Sequence, residues 1–138
     1  MDRKSRIALL VEHFERPRYK GTLEDADVVV PGGSPECGGS VVVYLKGEDR
    51  EVEALSWTGQ GDTISMGAAS IVVERILDEG LDMDEILEED YEEFIDSLGR
   101  EVIGTRTRHA TLGLSTIKAA IRQYQRAGRR GTGGLATT

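Results

Sequence analysis

Few side chains in this 138-residue chain can do covalent or metal chemistry: a single cysteine, Cys37, and two histidines, His13 and His109, among many carboxylates. A thiolate is both a nucleophile and a soft metal ligand, and an imidazole is the commonest nitrogen ligand and proton carrier. Cys37 lies in the stretch P-G-G-S-P-E-C-G-G at residues 31–39. Prolines there fix φ, and glycines let the backbone wrap closely around the thiol. Among the carboxylates Asp62 stands apart. It follows the glycine turn of W-T-G-Q-G and precedes a small-residue run with helical spacing, T-I-S-M-G-A-A-S. Asp is a preferred helix N-cap, so the bland reading of Asp62 is a cap and nothing more. His109 heads the last helical segment, where a surface or cap-region role is the ordinary one. His13 lies within the first helix with nothing metal-like beside it, and reads as structural.

The elements that must position these groups can be read from periodicity. Residues 5–16 place Ile7, Leu10, Val11 and Phe14 at helical spacing, and Pro17 ends the segment. Residues 17–27 form a connection, with an edge strand at 26–30 before Pro31. Residues 40–46 and 51–57 read as two strands joined by a link short enough for a hairpin. A hairpin returns its two outer ends to the same edge, so Cys37 before the first strand and Asp62 after the second are predicted to be neighbours. The strongest helix spans 63–79 with Gly80 as its stop. One or two short acidic helices follow over 81–98, then a loop over 99–108 and a final helix over 109–127. The Gly-, Arg- and Thr-rich residues 128–138 have almost nothing to bury and are predicted to be disordered. The reading is one α+β domain over 1–127, with a small antiparallel sheet of about three strands packed against helices.

Composition narrows the function class. Seventeen Lys and Arg against twenty-five Asp and Glu give a net charge of −8. Such a surface repels a phosphate backbone, so neither nucleic acid nor an anionic membrane is the expected partner. The charge is segregated: acids crowd residues 78–96, and none occurs after Glu101. A lone cysteine cannot form an intramolecular disulfide, no apolar run is long enough to span a bilayer, and the charged N-terminus lacks a signal-peptide core. A cytoplasmic location is the expectation. No phosphate loop, Ser-His-Asp order or paired-carboxylate cleft is visible, so the chain is not read as an enzyme. A Cys-Asp-His trio would mimic a cysteine hydrolase only if the thiol were free of metal.

Several motifs in order carry a resemblance: H-F-E-R-P-R-Y-K-G-T-L, P-E-C-G-G, the hairpin, W-T-G-Q-G-D-T-I-S-M-G-A-A-S, the acidic helices, R-T-R-H-A-T-L and I-K-A-A-I. The chain resembles the U-type iron–sulfur cluster assembly scaffolds (IscU, SufU and the N-terminal domain of NifU) from Ile7 to Tyr124. The resemblance implies a U-type scaffold (SufE/NifU-like) fold. It also implies a site at which family members hold a cluster or zinc with three cysteines and an aspartate. Laid onto those motifs without gaps, the first cysteine is Cys37, the aspartate position is Gly39, the second cysteine position is Asp62 and the third is His109. Arg106 falls where the family has a basic residue, and Arg108 where many members have histidine or lysine. The insertion of SufU-type members is absent. So is the Leu-Pro-Pro-Val-Lys segment that IscU-type members present to a chaperone, residues 102–106 reading V-I-G-T-R instead, which argues against chaperone binding.

What remains is a thiolate, a carboxylate and an imidazole, a set acceptable to zinc or iron but harder than three thiolates. The resemblance therefore implies a divergent scaffold or cluster carrier that binds iron or a labile [2Fe-2S] cluster through Cys37, Asp62 and His109. One alternative is a zinc-bound persulfide acceptor with Cys37 receiving sulfur; another is a metal-free interaction module of the same fold. Arg106 and Arg108 either activate the thiol and attract an anionic sulfur species, or merely balance the acidic helices. Implied partners are a cysteine desulfurase and cluster-accepting apoproteins, with the protein a monomer or a homo-oligomer.

Overall fold

In the computed structural model of the chain, residues 1–137 are described along the backbone and residues 1–128 in their side chains. Apart from Gly128, the tail expected at 128–138 thus lies outside the described side chains. The elements run α1 (Arg3–Glu15), β1 (Val28–Ser34), a single 3-10 turn (Pro35–Cys37), β2 (Gly39–Glu48), β3 (Glu51–Gly61), α2 (Thr63–Glu79), α3 (Met83–Leu87), α4 (Tyr91–Leu98), α5 (Arg100–Ile103) and α6 (Thr107–Thr137). The three strands form one antiparallel sheet in the order β1-β2-β3. Alternation decides its faces: Val41, Val43 and Leu45 of β2, with Leu55 and Trp57 of β3, are buried. They meet Ala68, Val72 and Ile76 of α2 and Leu114, Ile117 and Ile121 of α6 in a single core. Helices segregated to one face of an antiparallel sheet make this an α+β fold. Each fully buried Leu, Ile or Val contributes roughly 1.5–3 kcal/mol by leaving water.

The hairpin forms across the short link that the sequence predicts, but β3 runs on past Trp57 through the glycines read as a turn, to Gly61. Its last pair is Gly39 opposite Gly61, and the Asp62 amide donates to the Gly38 carbonyl at 3.0 Å. Cys37 and Asp62 therefore leave the sheet side by side. Elsewhere the structure corrects the reading. The edge strand starts at Val28 and continues through Pro31 to Ser34, so the stretch read as loop is half strand. An edge position tolerates a residue without an N–H, and β1 is an edge. The loop expected at 99–108 contains α5, and α6 begins at Thr107, which sets His109 within its first turn. Residues 19–21 dock on the edge of β3: the Trp57 amide donates to the Tyr19 carbonyl at 3.2 Å and the Gly21 amide to the Trp57 carbonyl at 2.7 Å.

Helix α1 buries a narrower face than its spacing predicts. Leu10 is buried with His13, whereas Ile7, Val11 and Phe14 are 37–40% exposed. The helix touches α2 along one line, where Gly67 admits the Leu10 carbonyl; a Cβ there would lie 2.7 Å from that oxygen. A polar knot fixes this contact. His13 Nδ1 lies 2.8 Å from the Ser70 hydroxyl, which also accepts from the Arg18 amide at 2.8 Å. Arg18 pairs with Glu12 and, at 3.2 Å, with Glu74, whose other oxygen is 3.6 Å from His13 Nε2. At the opposite end Lys118, buried on α6, donates to the Glu89 carbonyl and sits 4.2 Å from the Tyr91 ring, tying the acidic helices to the core.

Burial is the largest effect on His13 and pushes its imidazole below the ordinary value of 6.5; Arg18 adds to this, and Glu74 and Glu12 oppose it without reversing it. The unfolded chain then binds more protons than the native one between the two pKa values, so stability is fully present above about pH 6.5 and falls as pH drops below it. Urea midpoints measured stepwise from about pH 7.5 to 5.5 are expected to decline. The decline should largely vanish in His13→Gln, and an equal slope in the variant would show that His13 is not its source.

Candidate functional site

Two helix starts and one turn converge at the open end of the hairpin. Asp62 is the N-cap of α2, with extended φ and ψ, and its Oδ1 accepts from the Ser65 amide at 2.8 Å. The Ser65 hydroxyl donates to the same oxygen at 2.8 Å. The other oxygen, Oδ2, lies 2.6 Å from His109 Nδ1 in the first turn of α6. Burial raises the Asp62 carboxyl, but the two Ser65 hydrogen bonds and the His109 ring outweigh it, leaving its pKa below the ordinary carboxylate value. Asp62 is therefore an ionised acceptor, and the proton between the two side chains belongs to His109 Nδ1.

The Cys37 turn closes over this pair. Gly38, at φ +74°, has the left-handed conformation that ends the 3-10 turn. A Cβ on it would lie 2.3 Å from His109 Nδ1 and 2.6 Å from Asp62 Oδ2, so only glycine lets the backbone approach so closely. Cys37 itself is half-buried, with the Ser34 hydroxyl donating toward its sulfur at 3.6 Å. Gly39, the position that the resemblance assigns to the aspartate, is closed against any side chain: its Cβ would stand 2.3 Å from the Gln60 carbonyl oxygen. A fourth protein donor cannot come from there.

Of the three residues singled out in the sequence, the structure joins Asp62 and His109 directly and places Cys37 one residue from the glycine that covers them. Among the described residues no three His, Cys, Asp or Glu side chains stand together as a ready metal-binding group. Arg106 and Arg108 are exposed. The Glu36 carboxyl is held below its ordinary value by the Ser34 side chain, by the Glu36 backbone amide and, less, by the charge of Arg108, which puts Arg108 on the Cys37 side of the site. Sequence reasoning missed Ser65 and Gly38. The first was legible as the residue three after an N-cap Asp, and the second only as one of two adjacent glycines.

Residues 7–130 match the sequence model of the NifU-like N terminal domain. The chain belongs to that family. Among NifU-like relatives, the iron–sulfur cluster assembly scaffold protein IscU of Thermotoga maritima is 34% identical over 70 residues, covering 51% of this chain and 49% of that protein. The zinc-dependent sulfurtransferase SufU of Bacillus subtilis is 34% identical over 68 residues, 49% of this chain and 46% of that protein. The match thus spans about half the length of either. IscU of Aquifex aeolicus is 29% identical over 118 residues, 83% of this chain and 73% of that protein. The fold is likewise that of solved NifU-like structures. The N-terminal NifU-like protein of Brucella abortus superposes with TM-score 0.69 at 18% identity, covering 89% of this chain and 97% of that one. The cluster assembly scaffold protein for the SUF system of Fervidobacterium islandicum gives 0.67 at 18% identity, covering 82% and 93%.

Removing the Asp62 side chain leaves the Ser65 amide without its acceptor at the start of α2. Asp62→Ala is expected to destabilise the protein by about 0.5–2 kcal/mol, and Asp62→Asn, also a good cap, by much less. Urea unfolding of the two variants checks this; equal losses would show that capping is not what Asp62 contributes to stability.

Proposed function

We propose that this NifU-like chain works in iron–sulfur cluster assembly as a divergent scaffold or cluster carrier, with Cys37, Asp62 and His109 forming the site that receives iron or a labile [2Fe-2S] cluster as cargo. The observation that carries the reading is the Asp62–His109 pair beneath Gly38, beside the only thiol. Residues of three ligand-capable types thus stand where the resemblance assigns three cysteines. Their donor set suits such a cargo, because thiolate and imidazole both ligate clusters, and three or fewer protein donors leave positions open for exchange. With Gly39 closed, the remaining ligands come from outside the chain. The N-termini of α2 and α6 both present partial positive charge to this end of the molecule, which favours a thiolate or an anionic sulfur species there.

A second reading has its own observation. Cys37 is the one sulfur in a setting of harder donors, with the Ser34 hydroxyl directed at it. A carboxylate and an imidazole beside one thiolate form a zinc-type donor set, as suits a persulfide acceptor fed by a cysteine desulfurase. On either reading the chain serves in the cytoplasm as acceptor or carrier rather than as an enzyme with its own catalytic cycle, and its partners are a desulfurase and cluster-accepting apoproteins.

Anaerobic reconstitution with ferrous iron and sulfide separates the two. The scaffold reading expects visible charge-transfer absorption and acid-labile sulfide, both lost in Cys37→Ala and His109→Ala. A colourless protein carrying stoichiometric zinc would select the sulfur-acceptor reading. Iron and zinc retained undiminished in the Cys37 and His109 variants would reject the shared site.

A further inference from the structure

We infer that Asp62 is the positioning residue of His109 rather than a third metal donor: it fixes the imidazole proton on Nδ1 and so makes Nε2 the nitrogen that the site offers. The inference rests on the reading of Cys37 and His109 as the metal-facing groups, and sharpens the part that Asp62 takes.

The hydrogen-bond geometry carries it. A carboxylate has about four lone-pair directions. In Asp62, two of those on Oδ1 are taken by the Ser65 amide and hydroxyl, both at 2.8 Å. A third, on Oδ2, is taken by His109 Nδ1 at 2.6 Å, with the Gly38 backbone against the same oxygen. The Asp62 side chain is thus anchored on one oxygen by the helix that it caps and committed on the other to the ring. Since a carboxylate only accepts, the ring must donate from Nδ1. A neutral imidazole protonated there carries its lone pair on Nε2. Histidine ligands of metals commonly have this arrangement, the distal nitrogen bound and the other held by a carboxylate that sets orientation and raises basicity.

Ser65 then acquires a part in the site. It is fully buried, and its hydroxyl reaches the Asp62 carboxylate and, at 3.3 Å, the Gly38 carbonyl, so it holds the orienting carboxylate and the Cys37 turn in one network.

The test reads the proton directly. In metal-free, 15N-histidine-labelled protein at about pH 8, above the ordinary imidazole range, the His109 nitrogens are expected to report protonation on Nδ1. Asp62→Asn keeps an N-cap acceptor for Ser65 but turns an amide N–H toward the ring. His109 should switch to protonation on Nε2, with helix content unchanged. Zinc affinity of that variant should fall by roughly tenfold to a hundredfold, the usual loss when the carboxylate behind a ligating histidine is removed. X-ray absorption of the zinc-loaded wild type should show sulfur and imidazole scattering, and loss of the histidine signal in His109→Ala. Protonation on Nε2 in the metal-free wild type, or no change of tautomer in Asp62→Asn, would overturn the inference. A protein that takes up neither zinc nor iron while keeping the Nδ1 proton would instead overturn the functional reading and leave the pairing intact.

Discussion

The Asp62 carboxylate is the constraint on which this end of the molecule depends. One oxygen starts α2 by satisfying the Ser65 amide, and the other pins the first turn of α6 through His109. The two longest helices are thereby joined at their N-termini by a single side chain, while their apolar faces meet behind it in the core. The third participant is the sheet. Because the hairpin ends at Gly39 and Gly61, the turn carrying Cys37 is delivered to the same place, and the Asp62 amide anchors it through the Gly38 carbonyl. Cap, turn and helix start are three separate local structures that agree on one location.

That agreement depends on small residues. Gly38 must be in the left-handed region and without a Cβ for the turn to lie on the Asp62–His109 pair, and Gly39 must lack one for β2 to run beside Gln60 and Gly61. The same closeness accounts for the missing fourth donor. A carboxylate at position 39 would need the hairpin end to open, which would carry the Cys37 turn away from Asp62. The absence of a side chain at Gly39 and the pairing of Asp62 with His109 are therefore linked through backbone geometry.

Much of this is legible in the chain. Segments that alternate or run apolar at 40–46 and 51–57, joined by a short link, identify the hairpin, and hairpin geometry alone makes Cys37 and Asp62 neighbours. Small residues after an N-cap Asp give α2 with its bounds. The third member, His109, does not follow from periodicity; only the motif resemblance brings it to the site, because nothing local records which helix start will lie across the sheet end. The misses have physical causes. Pro31 reads as a strand breaker, yet an edge strand has one unpaired side that absorbs a missing N–H. The spacing of Ile7, Val11 and Phe14 reads as a buried stripe, but α1 meets α2 along one line and leaves those three partly exposed. Hydrophobic spacing reports that a helix is amphipathic; it does not report how much of its apolar face a partner covers.

On the proposed reading, a carboxylate and an imidazole at two positions that the resemblance assigns to cysteine also change the charge that this end of the molecule offers a metal. Three thiolates present three negative charges to a divalent ion. With Asp62 turned to His109, the groups left to face a divalent ion are one thiolate and one neutral ring, with the Asp62 charge standing behind the ring, so the ion's charge is balanced while coordination positions stay open. Beside two helix N-termini, those open positions call for an anionic donor. A persulfide, a sulfide or a partner's thiolate meets that requirement, and each is a species that a sulfur-handling protein has to recruit and release. On the proposed reading, a single cysteine leaves the site dependent on sulfur from elsewhere. That reading puts the further sulfur donor on whatever docks on the chain.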